Sequence, residues 1–428
     1  MPKKIAFLVF YHKYNKFSFN ALIGALETSE IFNYIDIYFI KKREDLFPHL
    51  EGLIEKYEKV VLGISFFTTQ LWEIYGLIKT IRKKFGRKIF CIAGGSHPTG
   101  DPKGSLLKIG FDLVFIGEGE ESLIEFLENL RNNTNYHTIK GIAYLDKDKK
   151  YFFTGKRKPV DLDKYPPFPI RSNKFGSIEI TRGCPYVCYF CQTPYILGAI
   201  PRHRSIKSIC KYIEIIKENN LTDIRFISPN AFSYGSLDGK TINVPKLEEL
   251  LLKIKRIIGT KGRIFLGSFP SEVRPEHVNE DTLGLVKKYC DNDNITIGGQ
   301  SGSQRILDMC HRGHTVKDLY KAVELTLKAK IKPNVDFIFG LPKETEEDVK
   351  LTLNVMKDLA LKGARIHTHS FMPLPQTPFA NEPVSRISLN VVDVINDLTS
   401  KGFAFGNWRE QEKLAIKIAK YLKTKKLK

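Results

Sequence analysis

Three cysteines, Cys184, Cys188 and Cys191, fall within eight residues of the stretch Thr181-Arg-Gly-Cys-Pro-Tyr-Val-Cys-Tyr-Phe-Cys191. Thiolates crowded in this way suit an iron–sulfur cluster or zinc. Structural zinc takes four protein ligands, and the nearest further candidates are His203 and Cys210, the latter in a segment of helical periodicity. A four-iron cluster on three cysteines leaves one iron open to a small molecule, which is the chemically productive arrangement. The other cysteines, Cys91, Cys210, Cys290 and Cys310, are scattered, and the odd total of seven argues against a disulfide framework. They read as buried apolar side chains.

The elements around this loop repeat. Ser177–Thr181, Asp223–Ser228, Arg263–Ser268, Asn294–Gly299, Val335–Phe339 and Arg365–Phe371 are strand-like runs separated by helical segments. Ile206, Ile209, Ile213 and Ile216 hold a helix's spacing behind a capping Ser205, while Thr345-Glu-Glu-Asp348 marks a helix start and Gly363 a helix stop. Six strand–helix units in series imply a parallel (βα)6 partial TIM barrel over 176–375, with its active site at the carboxyl ends of the strands. The cysteine loop follows the first of those strands. A small helical tail, 376–428, comes after it.

Upstream, Ile5–Phe10, Ile35–Ile40, Val60–Ser65, Lys88–Ala93 and Phe111–Ile116 are nearly continuous apolar runs alternating with helix-length segments. That pattern implies a parallel sheet covered on both faces, a doubly wound Rossmann-like domain over 1–135. Glycines follow the later strands, at Gly94-Gly95 and at Gly117-Glu118-Gly119, where ligand crevices open in such sheets. No G-x-G-x-x-G opens a helix there, which disfavours a nicotinamide cofactor. Residues 136–175 read as a hairpin and proline-rich linker, ending in Tyr165-Pro-Pro-Phe-Pro169.

Lysine and arginine number 67 against 47 acidic residues, an excess of 20, and six lysines fall between Lys417 and Lys428. The excess suits a nucleic-acid partner or simply a lysine-rich composition, and composition is the favoured source. No run of about eighteen apolar residues is present and the amino terminus makes a poor signal peptide, so a cytoplasmic location without membrane partners is expected.

The C-x-x-x-C-x-x-C spacing with Phe190 before the last cysteine resembles the radical S-adenosylmethionine superfamily. The resemblance implies a [4Fe-4S] cluster on Cys184, Cys188 and Cys191. It also implies S-adenosylmethionine on the open iron, cleaved by one electron from a reductant such as ferredoxin or flavodoxin to give a 5′-deoxyadenosyl radical. Further stretches are similar to that family. Gln300-Ser301-Gly302-Ser303 looks like its Q-S-G-S stretch, Gly340-Leu-Pro-Lys-Glu344-Thr its turn near the adenine, and Ser271-Glu-Val-Arg274 its ribose- and carboxylate-contacting segment. Pro373-Leu-Pro-Gln376-Thr-Pro matches a later stretch with Gln376 in place of glycine. By this resemblance Phe190, Asn230, Ser271, Arg274, Gln300, Ser301, Ser303, Gly340 and Glu344 would line S-adenosylmethionine. The usual G-G-E triplet is replaced by Ser228-Pro-Asn230, which leaves the partner of the methionine amine open.

A doubly wound domain ahead of such a barrel resembles the class B-like cobalamin-dependent members. Ser65, Thr68, Gly94, Gly95, Ser96, Gly117, Glu118 and Gly119 would line cobalamin. The D-x-H-x-x-G motif is absent, and His12 and His97 are the histidines near these loops. The implied activity is C-methylation of an unactivated carbon on an unidentified substrate. The alternatives are a non-methylating radical rearrangement or cyclisation, and methylthiolation of transfer RNA, which is disfavoured because Cys91 stands alone in the first domain. A non-catalytic cobalamin or iron–sulfur redox sensor comes last.

Overall fold

The computed structural model describes residues 5–427. They gather into two compact units, residues 5–176 with 374–376 and 421–427, and residues 177–373 with 377–420.

In the first unit β1 (Ile5–Phe10), β2 (Ile35–Ile40), β3 (Lys59–Ser65), β4 (Ile89–Gly94) and β5 (Leu113–Phe115) pair in parallel in the order 2-1-3-4-5. Every residue of β1 is buried. Because successive strand side chains point to opposite faces, Ala6, Leu8 and Phe10 join one apolar core and Ile5, Phe7 and Val9 the other. Full burial of each large side chain contributes about 1.5–3 kcal/mol, so a strand this apolar is stable only between two helical layers.

Segment 136–175 is more than a linker. It holds β6 (Ile142–Leu145) and β7 (Tyr151–Phe153), which pair antiparallel and extend the sheet beyond β5. Ile142 and Ala143 have no exposed surface, and burying them holds the hairpin on the sheet edge. The proline-rich run is packed as well. Phe168 is fully buried, and a Cβ on Gly24 would stand 2.8 Å from the Pro166 carbonyl, so helix Lys16–Leu26 needs glycine there.

In the second unit β8 (Ile178–Glu179) leads into the hairpin strands β9 (Thr181–Arg182) and β10 (Arg202–His203). The barrel continues through β11 (Asp223–Ile227), β12 (Arg263–Phe265), β13 (Asn294–Gln300), β14 (Lys332–Phe339) and β15 (Arg365–Ser370). β8, β11 and β12 pair in parallel, as do β13, β14 and β15, and a parallel bridge from Val273 to Ile297 lies between β12 and β13 in the chain. The order follows the sequence, as right-handed strand–helix crossovers dictate. Helices begin on side-chain caps at Ser205, Asn243, Asn279, Ser303, Thr315 and Thr345, each contributing about 1 kcal/mol. The tail also carries a strand between its helices: β16 (Ala404–Phe405) adds a seventh parallel strand beside β15. Two residues are too few to show the alternation that marks a strand in sequence.

Candidate functional site

The cysteine loop is tied at its base. β9 and β10 pair antiparallel on either side of residues 183–201, and Thr181 Oγ1 lies 2.9 Å from His203 Nδ1. The Cys184 N–H donates to the Gly198 carbonyl at 3.1 Å, and the Cys191 N–H to the Cys188 carbonyl at 3.1 Å. Gly183 has φ +91°, and a Cβ there would stand 2.5 Å from the Ile200 carbonyl oxygen. Gly183→Ala is therefore expected to cost about 1–3 kcal/mol in backbone strain, plus the clash. The checks are less iron retained per chain after anaerobic purification and an unchanged far-ultraviolet dichroism spectrum.

Cys188 is buried and Cys184 and Cys191 are half-buried. Burial raises the Cys184 thiol and pushes Cys191 up to about 11, so each thiolate needs a cation or metal to persist there. Cations are at hand. Arg312, 4% exposed, donates from Nη1 to Cys188 Sγ at 3.5 Å and from Nη2 to the Gly298 carbonyl at 2.7 Å, while its Nε is buried without a partner. Burial opposes its charge, but Cys188 and Glu272 hold it firmly protonated. Arg274, 3% exposed, stacks on Tyr186 at 3.3 Å, donates to the Arg312 carbonyl and pairs with Glu276 at 2.5 Å. Tyr189 stacks on His311, and its N–H donates to the Cys310 carbonyl at 3.1 Å. Two buried arginines against three thiols make a site built for negative charge.

The remaining barrel residues singled out from sequence divide into two groups. Gln300 has φ +69° at a bulge between β13 and β14, and Phe190 packs with Ile306, Cys310, Leu341, Phe371 and Phe379. Others are engaged within the protein. Ser301 lies 3.1 Å from Thr352 Oγ1, Ser303 donates to Asp348 at 2.6 Å, and Ser271 donates to the Phe226 carbonyl at 2.7 Å. Asn230 accepts from the Arg274 N–H at 3.3 Å and lies 2.7 Å from His277 Nδ1.

Gly340, at φ +73°, donates its N–H to Glu344 Oε2 at 2.9 Å, while Glu344 Oε1 is buried without a partner. Burial pushes the Glu344 carboxyl up to about 7, against the Gly340 bond that lowers it. The folded chain thus keeps this proton to higher pH than the unfolded chain. Folding stability falls as pH rises from about 4.5 to about 7. Glu344→Gln is expected to flatten that slope and to raise stability at pH 8 by up to roughly 3 kcal/mol, as read by denaturant titration of the cofactor-free chain.

In the first unit the candidate residues lie at the carboxyl ends of β3, β4 and β5, next to the order reversal between β1 and β3 where such sheets open a crevice. Asn15 Nδ2 donates to the Phe10 carbonyl at 2.8 Å and to the Ser65 carbonyl at 2.9 Å, bridging the ends of β1 and β3. Gly95, at φ +93°, allows a close approach to Ser65, since a Cβ there would meet Ser65 Oγ at 2.7 Å. Ser96 begins the short helix after it. The Gly117 N–H donates to Thr99 Oγ1 at 3.1 Å, Glu118 accepts from the Val160 N–H at 3.1 Å, and Gly119 precedes helix Glu120–Asn132. Thr68 Oγ1 is 3.1 Å from His97 Nδ1; the His97 ring is fully buried with Nε2 unpartnered, and burial lowers it to about 4. His12 Nδ1 is also buried without a partner. The His97 ring lies beside those of Phe66 and Tyr421, at 5.3 and 6.0 Å between centroids.

Sequence reasoning missed Arg312, Tyr186, His277 and the group Asp336, His367 and His369. The His367-Thr-His369 alternation on one strand was the available signal for the last of these.

Fold and site define a class: a doubly wound unit with glycine-bearing loops at its strand ends, then a parallel barrel whose first strand feeds a cysteine loop set among buried arginines. The family profile of the radical SAM superfamily matches residues 178–356, and that of the B12 binding domain residues 3–127. An uncharacterised methyltransferase of Pyrococcus horikoshii is 26% identical over 341 residues, 75% of this chain and 69% of the relative. A tRNA-2-methylthio-N(6)-dimethylallyladenosine synthase of Finegoldia magna is 32% identical over 293 residues, 68% of this chain but 58% of its own length. Among solved structures, the radical S-adenosylmethionine methyltransferase TsrM from Kitasatospora setae, with cobalamin and a [4Fe-4S] cluster bound, superposes with TM-score 0.69 at 16% identity, over 89% of this chain and 74% of that one. The cobalamin-dependent S-adenosylmethionine radical enzyme OxsB, with aqua-cobalamin and S-adenosylmethionine bound, superposes with TM-score 0.64 at 16% identity, over 94% and 56%. The chain carries a radical SAM domain with a B12 binding domain ahead of it. No helix among the described residues is long and apolar enough to cross a membrane.

Proposed function

We propose that the chain is a cobalamin-dependent radical S-adenosylmethionine enzyme that methylates an unactivated carbon, drawing electrons from a one-electron reductant such as ferredoxin or flavodoxin. The observation that carries the reading is the loop of Cys184, Cys188 and Cys191, held at the carboxyl end of the first barrel strand with Arg312 against Cys188. When bound, the cluster, S-adenosylmethionine and cobalamin supply one-electron chemistry and a methyl group that side chains cannot. The protein's part is positional. The three thiolates would hold the cluster, and Arg274 and Arg312 offset their negative charge. Gln300, Gly340, Glu344 and the Phe190 cluster would shape the S-adenosylmethionine pocket. The loops at Ser65–Thr68, Gly94–Ser96 and Gly117–Gly119 would cradle cobalamin.

The relative named as a methyltransferase and the likeness to TsrM and OxsB support this reading. The test is anaerobic incubation of the reconstituted protein with a cell extract and methyl-labelled S-adenosylmethionine. A product heavier by one methyl, with both S-adenosylhomocysteine and 5′-deoxyadenosine released, is expected. Deoxyadenosine without any methylated product would point to a rearrangement instead.

Methylthiolation of transfer RNA is the second reading, favoured by the Finegoldia relative and the basic charge. Against it stands the first unit's one cysteine: Cys91 is fully exposure-free in the sheet core, with its thiol pushed up to about 12 by burial. Sulfur transfer to a transfer RNA transcript would favour this reading over the first.

A further inference from the structure

Apart from the cysteine loop, the barrel gathers a second set of metal-ligating groups. Asp336 on β14 pairs with His367 on β15, and His369 follows two residues on. Strand alternation brings all three to one face of the sheet, where the intermediate burial of Asn334, Asp336, Ile338, His367 and His369 contrasts with the fully covered residues between them. Asp336 Oδ1 lies 2.9 Å from His367 Nδ1 and 3.9 Å from His369 Nε2, and the two ring nitrogens are 3.2 Å apart. Atoms with these separations lie on a circle of radius about 2.0 Å, and zinc bonds to imidazole nitrogen and carboxylate oxygen are about 2.0–2.2 Å. The side chains are 13%, 30% and 27% exposed, so the group is enclosed yet reachable.

With its proton on Nδ1, His367 donates to Asp336 and leaves His369 Nε2 free to present a lone pair to the same centre. A cation at the centre satisfies all three atoms together. The surroundings keep the rings in place: Phe405 lies flat on His367 at 4.3 Å and 4°, and Gln411 Nε2 sits 3.3 Å from His369 Nδ1 while its Oε1 accepts from the Ser370 N–H at 2.9 Å.

We propose that Asp336, His367 and His369 form a binding site for one divalent transition-metal ion, zinc or ferrous iron, inside the barrel. Two histidines and one carboxylate leave coordination positions open, which an oxygen or nitrogen donor of the substrate would take. The site does not depend on the methyl-transfer reading. Ligation through His369 Nε2 places the ring proton on Nδ1, opposite the Gln411 amide. Loading the ion therefore turns that amide over, at the expense of its bond to Ser370.

The test uses full-length protein with its cysteine loop occupied by the reconstituted cluster, treated with a mild chelator and then titrated with Co²⁺ and Zn²⁺. Binding of about one ion per chain is expected, with weak cobalt d–d bands and no sulfur charge-transfer band. His369→Ala and Asp336→Asn are expected to abolish it while the cluster's absorbance persists. Gln411→Glu, which presents a carboxylate oxygen to Nδ1 in either orientation, is expected to tighten binding by roughly 10-fold or more. Absence of stoichiometric binding to the wild-type chain, or binding indifferent to His369→Ala and Gln411→Glu, would overturn the site.

Discussion

Alanine at Cys184, Cys188 or Cys191 is expected to strip the chain of its iron–sulfur absorbance and to reduce S-adenosylmethionine cleavage to background, while the fold survives. The loop's geometry is set by backbone bonds, β9 with β10 and Cys184 N–H to Gly198, so losing one thiol removes a ligand without removing the scaffold. Three cysteines are the whole protein ligand set for a cluster with an open iron, and two hold it poorly. The scattered cysteines make the control. Cys310 is 1% exposed in an apolar cluster, and burial raises the thiols of Cys210 and Cys290. Cys310→Ala keeps the backbone carbonyl that Tyr189 uses and is expected to cost no more than about 1–2 kcal/mol through the small cavity it leaves. Iron analysis and deoxyadenosine release across the series check this; a Cys188→Ala protein that keeps its iron would refute the loop's assignment.

Arg312→Met is expected to have the second-largest effect, on two quantities at once. The substitution keeps an unbranched side chain of similar length but removes the charge and the bonds to Cys188 Sγ and the Gly298 carbonyl. It also leaves Glu272 without its strongest cationic neighbour. Leaving the buried Gly298 carbonyl without its donor typically costs about 1–3 kcal/mol. A positive charge that hydrogen-bonds a cluster-ligating sulfur makes the cluster easier to reduce, so removing it is expected to drive the reduction potential more negative. Denaturation of the cluster-free protein reads the first effect and a spectroscopic redox titration of the loaded protein reads the second. The double variant Arg312→Met/Glu272→Gln separates them. Stability is expected to recover in part because the orphaned carboxylate is gone, and the potential is expected to stay low because the bond to Cys188 is still missing.

The sequence made the strands of the first unit plain. Ile5–Phe10 and Ile35–Ile40 occupy the expected residues because each is a short, largely apolar run between polar punctuation. Helix starts at Ser205 and Thr345 and the stop at Gly363 were equally legible, since capping is chemistry within a few residues. β6 and β7 were visible as a hairpin, yet nothing local in them tells that they join the sheet at β5. Ser301 and Ser303 looked like ligand-facing hydroxyls, and their commitment to Thr352 and Asp348 became visible only when helix Glu346–Lys362, beyond the next strand, packed beside them.

By itself the sequence determined the three-cysteine loop, the order of strands and helices, and the presence of two α/β layers, because each follows from spacing over a few residues or from hydrophobic periodicity. The tertiary structure alone decided that Arg312 meets Cys188 across 124 residues of chain and that Asp336 meets His367 across 31. Which side chains share a barrel's interior depends on strand register and curvature, and both arise from packing among distant segments that no local pattern encodes.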